Sequence, residues 1–258
     1  MLALLSLAGV LAKKKPRPSP TLDPVSGPSF SFGAPLSLFL VGLVVVGVIA
    51  YLSYRAKQQR ITEIRALAAR LGLTYTSDDV YGLLALPFGL LRQGDGRGIE
   101  NVMHGVVENA TMHVFDYWYY EESTDANGHR SRSTYRFNCV VASFDASGPG
   151  LSIAEENFLT RIADAVALDD IQFESEEFNR AFNVKGADER FATALVDARM
   201  MQWLLQSGME HAFEVAGDRV FVSHRRVDVA GIPALMSTAA SFVAQIPRVV
   251  SSLYPKSG

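Results

Sequence analysis

Cysteine is almost absent: Cys139 is the only one in 258 residues, so no intrachain disulfide can form, which fits a reducing compartment. The usual catalytic signatures are missing too. There is no Gly-x-Ser-x-Gly, no His-Glu-x-x-His, no phosphate loop ending in Lys-Ser/Thr and no Cys-x-x-Cys. Beyond residue 60 a positive balance is also lacking. Residues 61–258 hold 17 basic and 26 acidic side chains, a net of about −9. Nucleic-acid binding needs a basic patch to neutralise phosphates, so nucleic acid is not an expected partner. No internal repeat of fixed period occurs. The last absence is local: no charge lies between Leu36 and Leu52.

That uncharged run, PLSLFLVGLVVVGVIAYLSY from Pro35 to Tyr54, predicts a membrane-spanning helix. At about 1.5 Å per residue, roughly 20 residues cross a ~30 Å hydrocarbon core. Tyr51 and Tyr54 are placed for the interface, and Arg55, Lys57 and Arg60 follow at once. Gly42 and Gly47 are not at small-xxx-small spacing, so no dimerisation motif is visible. Basic residues within about fifteen positions of the span are denser on its C-terminal side, which predicts a cytoplasmic soluble domain. The Lys13–Lys15 triplet argues the other way. A basic anchor suits an anionic bilayer surface.

Residues 1–34 read as an apolar stretch, MLALLSLAGVLA, and a basic linker with five prolines between residues 16 and 34. The apolar stretch is too short to span. Three readings stay open: an interfacial segment, an irregular signal-like segment, or the end of a longer helix begun upstream. The expected organisation is thus 1–34, a transmembrane helix over 35–54 and a cytoplasmic domain over 55–258.

That domain is expected to be α+β, with a three-strand antiparallel meander, a later hairpin and packing helices. Ile61, Ile64, Leu67, Ala68 and Leu71 continue the spanning helix to a stop at Gly72. Ile99–Val107, Ala110–Glu122 and Arg132–Phe144 are the predicted meander. Glu108-Asn109 and Asn127-Gly128 are read as two-residue turns. Those registers align Ile99 with Trp118 and Phe137, and Met103 with Val114 and Val141. Between them falls a polar row of Asn101, Asp116 and Cys139, with Asn101 the expected hydrogen-bond partner of a buried Asp116. The polar segment 121–133 is read as a long, mobile tip.

Four of five histidines fall into cross-strand pairs. His104 faces His113. A second hairpin, His211–Ala216 and Arg219–His224 about Gly217-Asp218, sets His211 against His224. Each pair offers half of a zinc or copper site, or a coupled pH sensor. No third ligand is placed, and structural zinc takes four. No cofactor or metal is expected, and these histidines are weak metal candidates, as Asp116 is a weak catalytic one. Elsewhere Ser152 with Glu155 reads as a capping box for a helix to Leu168 carrying Phe158, Leu159, Ile162 and Val166. Ile171–Phe173 and Phe182–Lys185 read as short strands. Asp188 opens a helix to about Gln206 with Phe191, Leu195, Ala198, Met201, Leu204 and Leu205 inward. A last helix starts at Pro233 with Leu235, Ala239, Phe242, Val243 and Ile246 as its stripe.

The motifs AARLGLTY (68–75), NVMHG (101–105), VFDY (114–117), FESEEFNRAFNV (173–184), DARMMQWLL (197–205) and the IPR-type ending (246–248) carry a resemblance. Together they resemble a family of uncharacterised, membrane-anchored proteins of actinobacteria and some other bacteria. The resemblance implies a similar anchor and fold and no activity. The leading expectation is a non-enzymatic binding or scaffolding module with a protein partner at the inner membrane face. The alternatives are an enzyme or metal or pH sensor using Asp116 and the histidine pairs, and an auxiliary subunit of an envelope or transport complex.

Overall fold

In a computed structural model, residues 33–155, 168–207 and 210–256 are described. The apolar start, the proline-rich linker and the helix expected over 156–167 lie outside them. The chain forms two compact units, Met1–Ser53 and Tyr54–Gly258.

Helix α1 (Gly33–Leu71) contributes to both units. In the first, its apolar side chains from Leu38 to Leu52 all stay exposed. Among the described residues it is the one helix long and apolar enough to cross a membrane.

In the second unit α1 becomes amphipathic. Ile64, Leu67 and Ala68 are buried, Ile61 is half-buried and Leu71 is exposed at the last turn. Gly72 closes the helix at φ +68, and the Leu73 amide donates to the Ala68 carbonyl at 2.8 Å, the wrapped stop that only a left-handed residue permits.

The rest is α+β. Strands β1 (Thr74–Thr76), β2 (Gly96–Val107), β3 (Ala110–Thr124), β4 (Arg130–Ala154), β5 (Asp169–Ile171), β6 (Asn183–Gly186) and β7 (His211–Arg225) make one antiparallel sheet. Its order is β1-β2-β3-β4-β6-β5, and β7 also pairs with β4. The helices are α2 (Glu176–Ala181), α3 (Glu189–Leu195), α4 (Ala198–Gln206), α5 (Ile232–Gln245) and α6 (Arg248–Leu253).

Both faces of the sheet are buried. On one, Met103, Val114 and Val140 meet α1, Phe213 and Phe242. On the other, Ile99, Phe115, Tyr117, Phe137 and Phe221 are covered by Leu83, Phe88, Leu90 and Leu91.

The meander is present, with a different register. His104 faces His113 and Met103 faces Val114 across a Glu108-Asn109 turn with φ 49° and 66°, the geometry of a type I′ hairpin. A bulge between Glu100 and Met103 then shifts the ladder, so Ile99 faces Tyr117 and not Trp118. The second turn holds three residues. Asp125 and His129 close it, and Gly128 (φ +82) donates to the Asp125 carbonyl at 3.0 Å. Val114 therefore pairs with Val140, and Asp116 with Asn138, in place of Val141 and Cys139. A one-residue slip moves every side chain to the other face. Because both faces are apolar, either register yields apolar rows, and the pattern alone could not choose.

Strand β7 folds back on itself. Thirteen residues of extended chain would separate His211 from His224 by about 43 Å. Their ring centroids are 5.0 Å apart, and Gly217 sits at φ +58 between them. Both halves pair with β4, from Phe137↔Arg225 to Ile153↔Phe213, so β4 wraps around the tip of this hairpin.

Three local expectations change. Ser152 caps no helix; it lies buried in β4, paired with Lys185 and Glu214. The helix from Asp188 breaks at Val196. Asp188 caps α3 through the Phe191 amide, and Asp197 caps α4 through the Met200 amide. After the break the buried stripe runs through Met200 and Leu204, and Ala198 is exposed. Finally, α5 covers the sheet with Leu235, Met236, Ala239 and Phe242 buried.

Candidate functional site

Asp116 lies at the centre of a buried polar cluster. Its partner is Arg60, carried by α1. The Arg60 guanidinium donates from Nε to Oδ2 and from Nη2 to Oδ1, both at 2.8 Å, in a bidentate fork. The third arm, Nη1, donates to the Val227 carbonyl at 2.8 Å. Two asparagines complete the carboxylate. Asn101 Nδ2 donates to Oδ2 at 3.0 Å and Asn138 Nδ2 to Oδ1 at 2.6 Å.

Each asparagine is itself held. Tyr75 Oη donates to Asn101 Oδ1, and the Val227 amide to Asn138 Oδ1, both at 2.8 Å. The bulge that shifts the ladder places Asn101 at φ 56, and so delivers its side chain to Asp116. A carboxylate with two guanidinium and two amide donors has little lone-pair capacity left to take a proton from a substrate. This arrangement pins helix to sheet.

The first histidine pair stacks. The His104 and His113 rings are 4.2 Å apart and inclined by 22°, and Tyr81 packs against both at 5.2 and 4.7 Å. Burial, with the nearby His104, pushes the His113 ring down to about 4. It is neutral at physiological pH. His211 and His224 sit at tilted rings, and His224 Nε2 lies 3.2 Å from a Glu210 carboxylate oxygen. The two pairs belong to different strands and do not meet. Among the described residues no group of three or more His, Cys, Asp or Glu side chains is arranged to hold a metal ion.

Cys139 is buried, and burial, with Asp116 and Glu214 adding, raises its thiol well above the ordinary range, which suppresses the reactive thiolate.

Sequence reasoning missed Glu214. It is 5% exposed in β7 and accepts hydrogen bonds from the amides of Gly89 and Leu90, at 2.5 and 3.3 Å. It thereby ties the 83–92 segment to the aromatic face of the sheet, which Tyr117 Oη also does by donating to the Leu90 carbonyl at 2.9 Å. Burial raises the Glu214 carboxyl to about 7, against the lowering effect of those two amides. The signal was present: a lone acid between apolar neighbours, AFEVA, in a strand apolar on both faces.

No protein-family model matches the chain, and no curated protein matches it. One solved structure is similar in fold: the mycobacterial trehalose monomycolate transport factor A, TtfA. The likeness has a TM-score of 0.52 at 10% identity and covers 77% of this chain and 98% of that one. At that identity it shows a shared fold.

Proposed function

We propose that this chain is a single-pass membrane protein whose α+β domain faces the cytoplasm and serves as a non-enzymatic accessory subunit of an envelope-transport complex. The observation that carries the reading is the fold likeness to a transport factor along 98% of that protein's length. Two others agree with it. The α1 run from Leu38 to Leu52 leaves its apolar surface uncovered. The charged cluster around Asp116 joins helix to sheet.

Orientation is tested with a tag after Gly258 and protease added to spheroplasts. Protection until the membrane is permeabilised is expected, and cleavage in intact spheroplasts overturns the cytoplasmic placement. The transport role is tested by depleting the protein and comparing surface-extractable lipids with those retained in the inner membrane. Retention of a lipid class that normally reaches the surface is expected. An unchanged distribution overturns the role.

A further inference from the structure

We infer that one face of the arm formed by β3 and β4 binds the phosphate headgroups of anionic lipids in the bilayer that anchors α1. The inference rests on the reading of α1 as a membrane span. Register defines the face. Trp118 pairs with Arg136, Tyr120 with Thr134, Glu122 with Arg132 and Thr124 with Arg130. Paired residues share a side, so three arginines lie with Trp118 and Tyr120. On β2 the positions opposite these rings are Gly98 and Gly96. A Cβ there would fall 2.8 Å from Trp118 and 2.4 Å from Tyr120, so both rings lie flat across the bare backbone. The Arg132 guanidinium sits 3.5 Å above the Tyr120 ring.

Charge selects the occupant. Glu122 pairs with Arg132 at 3.0 Å. Arg130 and Arg136 are exposed and form no ion pair among the described residues. Where the arm meets the sheet, Arg60 and Arg226 approach Asp116, Arg226 at 4.0 Å, and Arg136 and Glu100 lie near Arg226. Burial and then Arg60, with Arg136 adding, push Arg226 below its usual value, against the raising effect of Asp116 and Glu100. The domain as a whole carries net negative charge, so a face that gathers three arginines departs from its average. Amphipathic rings beside arginines are the side chains of a membrane interface.

The chain supplies the proximity. Ile64, Leu67 and Ala68 pack with Met103 and Val114, Arg60 grips Asp116, and Lys57 reaches Glu100 at 3.1 Å. The last two contacts fall on one rung of the sheet, since Glu100 pairs with Asp116. Lys57 lies three residues from Tyr54, the end of the apolar run, a rise of about 5 Å. Arg60 is thus joined to the end of the apolar run by six residues of chain.

The two tryptophans make the test direct. Trp203→Phe leaves Trp118 as the sole reporter, and Trp203 makes only edge contacts with Phe213 and Phe242 among the ring pairs described. The full-length variant is reconstituted into vesicles of brominated phosphatidylcholine, with or without brominated phosphatidylglycerol. Trp118 emission is expected to fall and shift to the blue only when phosphatidylglycerol is present. Salt at about 1 M, where the Debye length is ~3 Å, should restore it. Each of Arg130→Ala and Arg136→Ala, both exposed, should lower the bound-to-free ratio of the arm about fivefold. Emission indifferent to headgroup charge, with the protein resisting carbonate extraction, overturns this inference alone and favours an acidic protein partner for the face. Extraction by carbonate overturns the span, and the inference with it.

Discussion

Asp116→Ala is expected to cost the Tyr54–Gly258 unit about 3–5 kcal/mol, because it strands the Arg60 guanidinium in a buried site. The two side chains are only 10% and 11% exposed, so water cannot replace the lost carboxylate. Asn101 and Asn138 would also lose their acceptor, and each unsatisfied amide adds about 1–3 kcal/mol before relaxation. Denaturant unfolding of the detergent-solubilised full chain, followed by near-UV circular dichroism, measures this. Removing both charges in Arg60→Met/Asp116→Leu should cost less than the sum of the single changes, since neither partner is then left alone. A double variant that loses the full sum would show that the two side chains act separately. An Asp116→Ala midpoint equal to wild type would remove the pair as the junction of helix and sheet.

Glu214 is expected to impose an inverted pH dependence. Its folded carboxyl titrates at about 7, above the ordinary 4.5. The folded state therefore binds the proton more tightly than the unfolded one between these values. The stabilisation is complete below pH 4.5 and is lost as pH rises to 7, by about 3 kcal/mol for the 2.5-unit difference. His113 works in the opposite sense. Its ring is lowered from 6.5 to about 4, so its contribution is lost as pH falls through that interval. The two slopes oppose each other in the wild type. Glu214→Gln removes one of them, so the difference between variant and wild type isolates it. The variant should be the more stable above pH 7 and about equal to wild type below pH 4.5. A difference that does not change with pH would mean that the folded carboxyl titrates where the unfolded one does, with the Gly89 and Leu90 amides offsetting burial. Protease cutting within 83–92, more frequent in the wild type above pH 7, provides a local readout.

The Asp116 cluster was half legible. Asp116 and Asn101 were placed together because both interrupt apolar strands at compatible positions. Their meeting depends on a bulge that the pattern did not show, since a bulge changes register without changing composition. Arg60 counted in the sequence only as a charge beside a span. Its partner is 56 residues away, and no local rule reports that distance. Asn138 takes the place opposite Asp116 that the expected register gives to Cys139, by the same one-residue slip that moves Val141. Glu214 was legible as an anomaly and not as a contact, because the amides it caps lie more than 120 residues upstream. Helix breaks behaved similarly. Asp197 is as good a cap as Asp188, yet an unbroken apolar period hid the break at Val196.

Features that depend on neighbours along the chain are legible in the residues alone. The uncharged run defines one helix suited to a bilayer, the Gly72 stop ends it, and alternating apolar residues define an antiparallel α+β domain with its turns near 108, 127 and 217. Which residues meet is set by the closed fold. It chose the register in a sheet buried on both faces, wrapped β4 around the β7 hairpin, set Arg60 into the Asp116 carboxylate and tied Glu214 to the 89–90 backbone. The physical reason is range. Helical and strand periods are local consequences of backbone geometry, whereas a buried charge finds its partner only when the whole core closes and leaves it no water.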